Sequence, residues 1–215
     1  MPSIHAVLFD YGLVLSGPPE QSAWAQMRFI TGLSEELLQR GYWAHRHAYD
    51  RGELSGVAFW QAVAHDGSLR LIPNQIESLL AADIDLWGQV NLPMLDWAQS
   101  LQRAGIPTGI LSNMGDAMET GLLARYSWIQ DFDHHTWSHR LSIAKPEAAI
   151  YHHAALGMNT PAPNILFVDD RIDNIEAAHA VGMQAIQYLD HRTFLAEMEA
   201  RGLTYLLDPQ VPRKH

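Results

Sequence analysis

Short apolar runs alternate with helix-patterned segments along most of the chain. Strand-like apolar runs occur at residues 4–9, 106–111, 136–143, 165–168 and 184–188. Before and after them, apolar residues recur at helical spacing, which predicts helices at residues 94–101, 117–126, 147–156, 172–181 and 193–200. Strands that alternate with helices favour a parallel sheet joined by right-handed crossovers. We therefore predict a doubly wound α/β core built on a parallel, Rossmann-like sheet.

The stretch that follows the first predicted strand has a different pattern. From residue 20 to about residue 80 it shows helical periodicity and few strand signals. Five helices are predicted there, whose bounds or opening residues are 21–30, Ser34, 42–50, Ser55 and Pro73. The side chain of Ser34 is of the type that caps helix N-termini. The pattern predicts a small helical cap at residues 16–85, inserted after strand 1 into a core domain of residues 1–15 and 86–215.

Composition narrows the class of protein. The chain has 215 residues, of which 47% are hydrophobic and 18% charged, so it can bury a sizeable core. Its net charge of -10 argues against a nucleic-acid-binding surface. The absence of cysteine excludes disulfides and thiolate chemistry, and no apolar stretch reaches the length of a membrane span. We expect a soluble, cytoplasmic protein, monomeric or homodimeric, with no nucleic-acid or membrane partner.

Polar residues follow three of the predicted strands. Asp10 follows the first strand, Ser112 and Asn113 follow the second, and the pair 169–170 (Asp-Asp) follows residues 165–168. A loop before the last of these strands carries Lys145. The carboxyl ends of parallel strands share one edge of the sheet, where ligands bind in open α/β folds. The sequence therefore predicts one crevice that gathers carboxylates, a hydroxyl and an ammonium group.

Phosphoryl transfer is the chemistry that needs this set of groups. A carboxylate such as Asp10 can attack phosphorus and form an aspartyl-phosphate. Mg²⁺ relieves the repulsion between carboxylate and phosphate and prefers oxygen ligands, which Asp10 and Asp170 can supply. Ser112 can donate a hydrogen bond to a phosphate oxygen, and Lys145 can offset negative charge. The predicted partner is a small phosphorylated metabolite.

Four segments of the chain resemble the four motifs of the haloacid dehalogenase-like hydrolase superfamily. They are FDYGLV at residues 9–14, LSN at 111–113, KPEAAIY at 145–151 and FVDDRIDN at 167–174. Residues 49–55 (YDRGELS), followed by Phe59 and Trp60, are similar to a stretch common in the helical caps of this family. The set is most similar to the branch that contains the α-D-glucose-1-phosphate phosphatase and the phosphatase domain of soluble epoxide hydrolase.

The resemblance implies a magnesium centre and a nucleophile. Asp10 would be both the nucleophile and a Mg²⁺ ligand. The backbone carbonyl of Gly12 would be a second ligand and Asp170 a third, while Asp169 would support the metal through water molecules.

The resemblance also implies roles in substrate binding. Ser112 and Asn113 would bind the transferring phosphoryl group, which Lys145 would neutralise, and Asn174 would order the fourth motif. Caps of this kind close over the substrate, so we name cap residues as candidates for specificity. These candidates are Trp43, Arg46 and His47.

Gly12 departs from the pattern of most phosphatases in the superfamily, which carry an acid/base aspartate at that position. General acid–base help is typically worth about 10²–10⁴-fold in rate. The function we predict is a Mg²⁺-dependent phosphatase that acts on a small phosphorylated metabolite such as a sugar phosphate. The glycine leaves two alternatives open. One is a 2-haloacid dehalogenase-type hydrolase, although the adjacent Asp169 and Asp170 argue for a cation. The other is a catalytically weak protein that binds phosphorylated ligands.

Overall fold

The computed structural model describes residues 3–209 and contains a central sheet of five parallel strands. The strands are β1 (Ala6–Phe9), β2 (Thr108–Ser112), β3 (His134–Trp137), β4 (Ile165–Asp169) and β5 (Gln184–Gln187), in the spatial order β3-β2-β1-β4-β5. The predicted doubly wound parallel sheet is therefore confirmed. β1 lies at the centre, hydrogen-bonded to β2 on one side and β4 on the other. The residue after β1 thus emerges where the strand order reverses, which is the ligand-binding position of such sheets.

Ten helices lie among the described residues. They are α1 (Gln21–Thr31), α2 (Glu35–Asp50), α3 (Gly56–Asp66), α4 (Pro73–Leu86), α5 (Leu92–Arg103), α6 (Asp116–Arg125), α7 (Ser138–Leu141), α8 (Ala148–Gly157), α9 (Ile172–Ala180) and α10 (His191–Ala200). Short helical turns occur at Tyr11–Leu15, Ser127–Asp131, Ala162–Asn164 and Thr204–Leu206.

Both faces of the sheet are covered, because successive strand residues point to opposite sides. Val7 and Phe9 of β1 belong to an apolar cluster with residues of α5, α6 and α10. Ala6 and Leu8 belong to a second cluster with residues of α8 and α9. Burial on both faces explains why the strands read as continuous apolar runs in the sequence.

Helices α1–α4, residues 21–86, form the helical insertion between β1 and β2. Its apolar side chains make a cluster of their own, centred on large buried aromatic residues that include Tyr42, Phe59 and Trp60. The Ser34 side chain accepts a hydrogen bond from the Leu37 N–H, as its predicted capping role requires.

The separate helix predicted at residues 42–50 was wrong, because α2 runs unbroken from Glu35 to Asp50. Gly41 lies inside this helix, where glycine is normally unfavourable. A Cβ at Gly41 would lie 3.3 Å from a methyl group of Val63. The glycine therefore serves the close packing of α2 on α3 rather than ending a helix.

The predicted strand at residues 136–143 was also wrong in its extent. β3 ends at Trp137, and the chain turns into the short helix α7. The Ser138 hydroxyl accepts a hydrogen bond from the Met114 N–H and donates one to the backbone carbonyl of Asp50. These long-range contacts bend the chain at a point that local pattern does not mark.

The predicted boundaries of the core domain and cap, at residues 15/16 and 85/86, stay a prediction. Residues 1–2 and 210–215 of that predicted core lie outside the described residues. Within residues 3–209, the helices lack the combination of length and apolar character needed to cross a membrane.

Candidate active site

A cavity of about 510 Å³ lies between the carboxyl edge of the sheet and the helical insertion. Ten of the site residues predicted from sequence line it: Asp10, Gly12, Trp43, Arg46, His47, Ser112, Asn113, Lys145, Asp170 and Asn174. Asp169, the remaining one, is fully buried behind the cavity wall. The structure therefore brings the predicted residues of four separate segments and of the insertion together in one place.

Asp10 lies directly beyond the central strand. Its backbone N–H still bonds to Val168 of β4, and its Oδ1 accepts a hydrogen bond of 2.7 Å from the Tyr11 N–H. The same oxygen is 2.9 Å from the Lys145 Nζ. Burial raises the pKa of Asp10 to about 7 against the opposing charge of Lys145, and Asp169 and Asp170 raise it further.

Lys145 is a buried cation shared by two carboxylates. Its Nζ lies 2.6 Å from Asp169 Oδ2 as well as 2.9 Å from Asp10 Oδ1. Burial alone would lower the pKa of Lys145, but these two carboxylates outweigh it and hold the pKa above its ordinary value. Lys145 therefore stays charged at the floor of the cavity.

The Asn113 side chain fixes the backbone of Lys145. Its Nδ2 donates to the Lys145 carbonyl at 2.9 Å, and its Oδ1 accepts from the Lys145 N–H at 2.8 Å. This pair of bonds joins the end of β2 to the loop that carries the lysine. Because the side-chain amide of Asn113 is bonded to Lys145, we expect any contact of Asn113 with a phosphoryl group to come from its backbone N–H. This contact stays a prediction.

The two adjacent aspartates after β4 have different surroundings. Asp169 accepts hydrogen bonds from Lys145, from the Arg171 N–H and from Asn174 Nδ2, which lies 2.9 and 3.0 Å from its two oxygens. The carboxylate of Asp170 faces the cavity and receives no side-chain hydrogen bond from residues 3–209. Asp169 thus orders the loop, while Asp170 is free to bind a ligand.

The carboxylates fit a hard divalent cation. One oxygen from each of Asp10, Asp169 and Asp170 lies within 4.8 Å of the others. Burial and then the charge of Asp169 raise the pKa of Asp170 above its ordinary value, as for Asp10. Mutual repulsion of this kind is what a bound Mg²⁺ relieves, and oxygen donors are the ligands it prefers. Asp10 and Asp170 are the two carboxylates available for direct coordination.

Gly12 lies in the helical turn Tyr11–Leu15, which follows Asp10 directly. The turn is tight, with Leu13 in the left-handed region at φ 58°. Gly12 itself has φ -62° and ψ 128°, which any residue adopts. A Cβ at this position would meet no heavy atom within 4 Å. Neither backbone geometry nor space accounts for the missing carboxylate.

The helical insertion contributes a polar and aromatic wall to the cavity. Trp43 and His47 on α2 are exposed to it, with Trp43 51% accessible. Arg46 lies deeper, with its Nε 2.8 Å from Asp50 Oδ1 and its guanidinium 5.7 Å from the Trp87 ring centre. Sequence reasoning missed both Asp50 and Trp87.

The family of the chain follows from comparison with known proteins. Residues 14–182 match the haloacid dehalogenase-like hydrolase family. The chain belongs to this family. The matched range covers Ser112, Lys145 and Asp170, and it begins just after Asp10. As a haloacid dehalogenase-like hydrolase, the chain is an enzyme, and the predicted family is confirmed.

Curated relatives of this hydrolase include enzymes of two kinds. It is 26% identical to bifunctional epoxide hydrolase 2 of Sus scrofa over 98% of its own length but only 41% of that protein. The chain thus spans about two fifths of that relative. It is 27% identical to phosphatase MT3486 of Mycobacterium tuberculosis, over 85% of this chain and 86% of the relative.

Solved structures with the same fold include a haloacid dehalogenase-like enzyme of Bacteroides thetaiotaomicron, BT-2542. In its complex with magnesium and inorganic phosphate it superposes with a TM-score of 0.72 at 18% identity, over 89% of this chain and 99% of the other. The L-2-haloacid dehalogenase RSc1362 superposes with a TM-score of 0.68 at 22% identity, over 87% of each chain. Both structures have the fold of this hydrolase.

Proposed function

We propose that this hydrolase is a Mg²⁺-dependent phosphatase that acts on a small phosphorylated metabolite through an aspartyl-phosphate on Asp10. The observation that carries the proposal is the cluster of Asp10, Asp169 and Asp170 around one buried lysine. Three carboxylates next to one ammonium group leave an excess of negative charge that a divalent cation offsets. The kinship with a phosphatase of Mycobacterium tuberculosis supports the same reaction.

In the proposed first step, an Asp10 carboxylate oxygen attacks phosphorus and the bond from phosphorus to the leaving oxygen breaks. Bound Mg²⁺, held by Asp10, Asp170 and the Gly12 carbonyl, would supply charge neutralisation for the attack on a phosphate dianion. Lys145 offsets charge on the transferring group, and the Ser112 hydroxyl donates a hydrogen bond to one of its oxygens. In the second step, water attacks the same phosphorus, which releases phosphate and restores the carboxylate.

The cavity wall supports a substrate with an apolar or ring-shaped leaving group. Trp43 and Trp87 present aromatic surface, and Arg46 and His47 add hydrogen-bond donors. A sugar ring combines these requirements, because it stacks on aromatic faces and binds polar groups through its hydroxyls. An anomeric oxygen also leaves more easily than an ordinary alkoxide, which suits a site with glycine at position 12.

The carboxylate cluster favours the phosphatase over a metal-free dehalogenase. Burial and the neighbouring aspartates already raise the pKa of Asp10 to about 7, so without a cation the nucleophile would be partly protonated. A dehalogenase needs the same carboxylate ionised and has no use for Asp170 beside it. The remaining alternative is a protein that binds phosphorylated ligands but hydrolyses them slowly. We expect this outcome if the glycine at position 12 prevents efficient hydrolysis.

The test is hydrolysis of p-nitrophenyl phosphate with Mg²⁺ and with EDTA. We expect wild-type activity to require Mg²⁺, and Asp10→Asn to lower it by on the order of 1,000-fold or more. Asp96→Asn, on the exposed face of α5, is the matched control and should retain activity. Release of halide from a 2-haloacid without metal, together with no phosphate release, would contradict the proposal. A rise in melting temperature with phosphorylated ligands but no turnover would favour the binding protein.

A further inference from the structure

Proton transfer is the part of the proposed reaction that the sheet edge does not explain. The leaving oxygen needs a proton, and the water that attacks the aspartyl-phosphate must lose one. Gly12 can do neither. The missing group must therefore come from another side chain that faces the same cavity.

We propose that Asp50, the last residue of α2, is the general acid and base of this hydrolase, supplied by the helical insertion. The inference rests on the proposed phosphatase function and adds the residue that completes it. Asp50 lines the cavity that also contains Asp10 and Ser112.

Among the carboxyl groups that line the cavity, Asp50 is the one available for proton transfer. Four aspartates of the described chain line the cavity: Asp10, Asp50, Asp170 and Asp173. Asp10 and Asp170 belong to the metal cluster. Asp173 forms two hydrogen bonds with Arg171, at 3.0 and 2.7 Å, and these hold the pKa of Asp173 below its usual range. Such a carboxylate is a poor proton donor at neutral pH.

The surroundings of Asp50 favour a carboxyl group that can carry a proton. Burial raises the pKa of Asp50 to about 6, although Arg46 opposes the shift. Asp50 also ends α2, where the helix dipole disfavours a negative charge. A group whose pKa lies near neutrality can both give and take a proton during one catalytic cycle.

Hydrogen bonds also hold the Asp50 carboxyl group and the end of α2 in place. Its Oδ1 is held 2.8 Å from Arg46 Nε, which orients the carboxyl group. Its backbone carbonyl accepts a hydrogen bond from Ser138, which follows β3 directly. The next residue, Arg51, donates to the Ser142 carbonyl at 2.7 Å. These bonds tie the end of α2 to the core on the Lys145 side of the cavity.

With Asp50 as acid and base, each proton that the two steps release or consume has a donor and an acceptor. When Asp10 attacks phosphorus, the Asp50 carboxyl group gives its proton to the departing oxygen, and the alcohol leaves neutral. The Asp50 carboxylate then takes a proton from water as the water oxygen bonds to phosphorus and the bond from phosphorus to Asp10 breaks. The products are the alcohol and inorganic phosphate, and Asp50 is protonated again.

The experiment compares a good and a poor leaving group. Steady-state hydrolysis of p-nitrophenyl phosphate and of benzyl phosphate is measured with Mg²⁺ for wild type and Asp50→Asn. We expect Asp50→Asn to lower kcat/KM on benzyl phosphate by about 100-fold or more, and kcat/KM on p-nitrophenyl phosphate by less than about 10-fold, because kcat/KM reports the first step, in which only the poor leaving group needs the proton. Loss of the base should lower kcat on both substrates, because the second step is the same for both. The amide oxygen of asparagine can still accept the hydrogen bond from Arg46, so the position of Arg46 should be kept.

Asp83→Asn is the matched control. Asp83 also lies near Arg46, 3.9 Å from its Nη1, and burial raises the pKa of Asp83 too. It does not line the cavity, so its substitution should leave the ratio of the two rates unchanged. Asp50→Glu keeps the carboxyl group and should retain more benzyl phosphate activity than Asp50→Asn.

A double variant tests whether a second carboxyl group can replace Asp50. Gly12→Asp restores a carboxyl group at a position with room for its Cβ, so it should recover benzyl phosphate hydrolysis in the Asp50→Asn background. Equal losses of kcat/KM on both substrates would show that Asp50 only positions Arg46 and would overturn the inference. A wild type that hydrolyses neither substrate would instead refute the proposed phosphatase function, which is a distinguishable result.

Discussion

At the scale of single residues, Lys145 is the group on which the arrangement of the site depends. Its ammonium lies within 2.9 Å of Asp10 and 2.6 Å of Asp169, and its side chain is 1% exposed. Breaking a buried pair by removing one partner leaves an uncompensated buried charge, which is more costly than losing a surface pair. Two carboxylates lose the cation they share when this one lysine is removed.

We predict that Lys145→Met lowers the free energy of unfolding by about 3–5 kcal/mol and abolishes hydrolysis. Methionine has similar length and leaves no large cavity, so the loss reports on the charge. Urea denaturation at neutral pH without metal is the measurement. Arg28→Met, which removes an exposed ion pair with Glu35, is the control and should cost less than about 1 kcal/mol. A loss for Lys145→Met no larger than that control would show that the carboxylates do not depend on the lysine.

The residues at the strand ends were predictable because a parallel sheet leaves little freedom there. Once β1, β2 and β4 are known to run in the same direction, Asp10, Ser112 and Asp170 must share an edge. Asp50 was not predictable in the same way, because its place at the cavity depends on how the helical insertion docks. The available signal was an acidic residue in the last turn of a helix, where the dipole disfavours it.

At the scale of elements, the packing of α2 against the core positions the residues that the helical insertion contributes to the cavity. Tyr49 is buried at this contact, where its hydroxyl accepts a hydrogen bond of 3.2 Å from the Met118 N–H. Its ring stacks on Phe59 with 4.7 Å between ring centres. On the core side the ring meets Gly115, where a Cβ would lie only 2.1 Å from a ring carbon. The glycine is thus required for α2 to reach its position.

We predict that Gly115→Ala displaces α2 and lowers kcat/KM for p-nitrophenyl phosphate by about 10- to 100-fold, because small misplacements of catalytic groups are costly. The Tyr49 ring cannot turn away, since Phe59 packs against its other face.

Gly41→Ala is the matched control for Gly115→Ala. Its Cβ would lie 3.3 Å from Val63, inside the insertion and away from the core. It should alter stability while leaving kcat/KM within about 3-fold, since a 3.3 Å contact is relieved by a shift of only a few tenths of an ångström. Similar kinetic losses in the two variants would argue against a specific role for the contact between α2 and Gly115.

The same element shows where local pattern fails as a guide. The sequence pattern predicts a separate helix at residues 42–50, whereas the structure has one helix from Glu35 to Asp50, in which Gly41 allows close packing against Val63. It also extends a strand through residues 136–143, whereas Ser138 turns the chain by bonding to two distant segments. In both places the deciding contact joins residues that are far apart in sequence, so a short window cannot detect it.

At the scale of the whole molecule, we expect the proposed metal binding to be coupled to folding through the carboxylate cluster. The chain carries a net charge of -10, and three of its aspartates, two of them buried, lie close together at the sheet edge. Because burial raises the pKa of Asp10 to about 7, the ionised cluster is a source of instability at alkaline pH. A raised carboxyl pKa contributes stability at low pH that is lost as pH rises toward the folded-state value. A cation that binds only the folded state reverses this loss.

We predict that Mg²⁺ raises the melting temperature, and that the rise is larger at about pH 8 than at about pH 5.5, because protons compete with the metal for Asp10 below its pKa. A free metal concentration 100 times the dissociation constant stabilises the fold by about 2.7 kcal/mol. For a chain of this size that corresponds to a shift of about 5–10 °C. Asp170→Asn should abolish the shift, and should raise the melting temperature without metal because it removes one repelling charge. The exposed Asp96→Asn should behave as wild type in both conditions. A shift that is equal at both pH values, or that survives in Asp170→Asn, would place the metal elsewhere on the molecule.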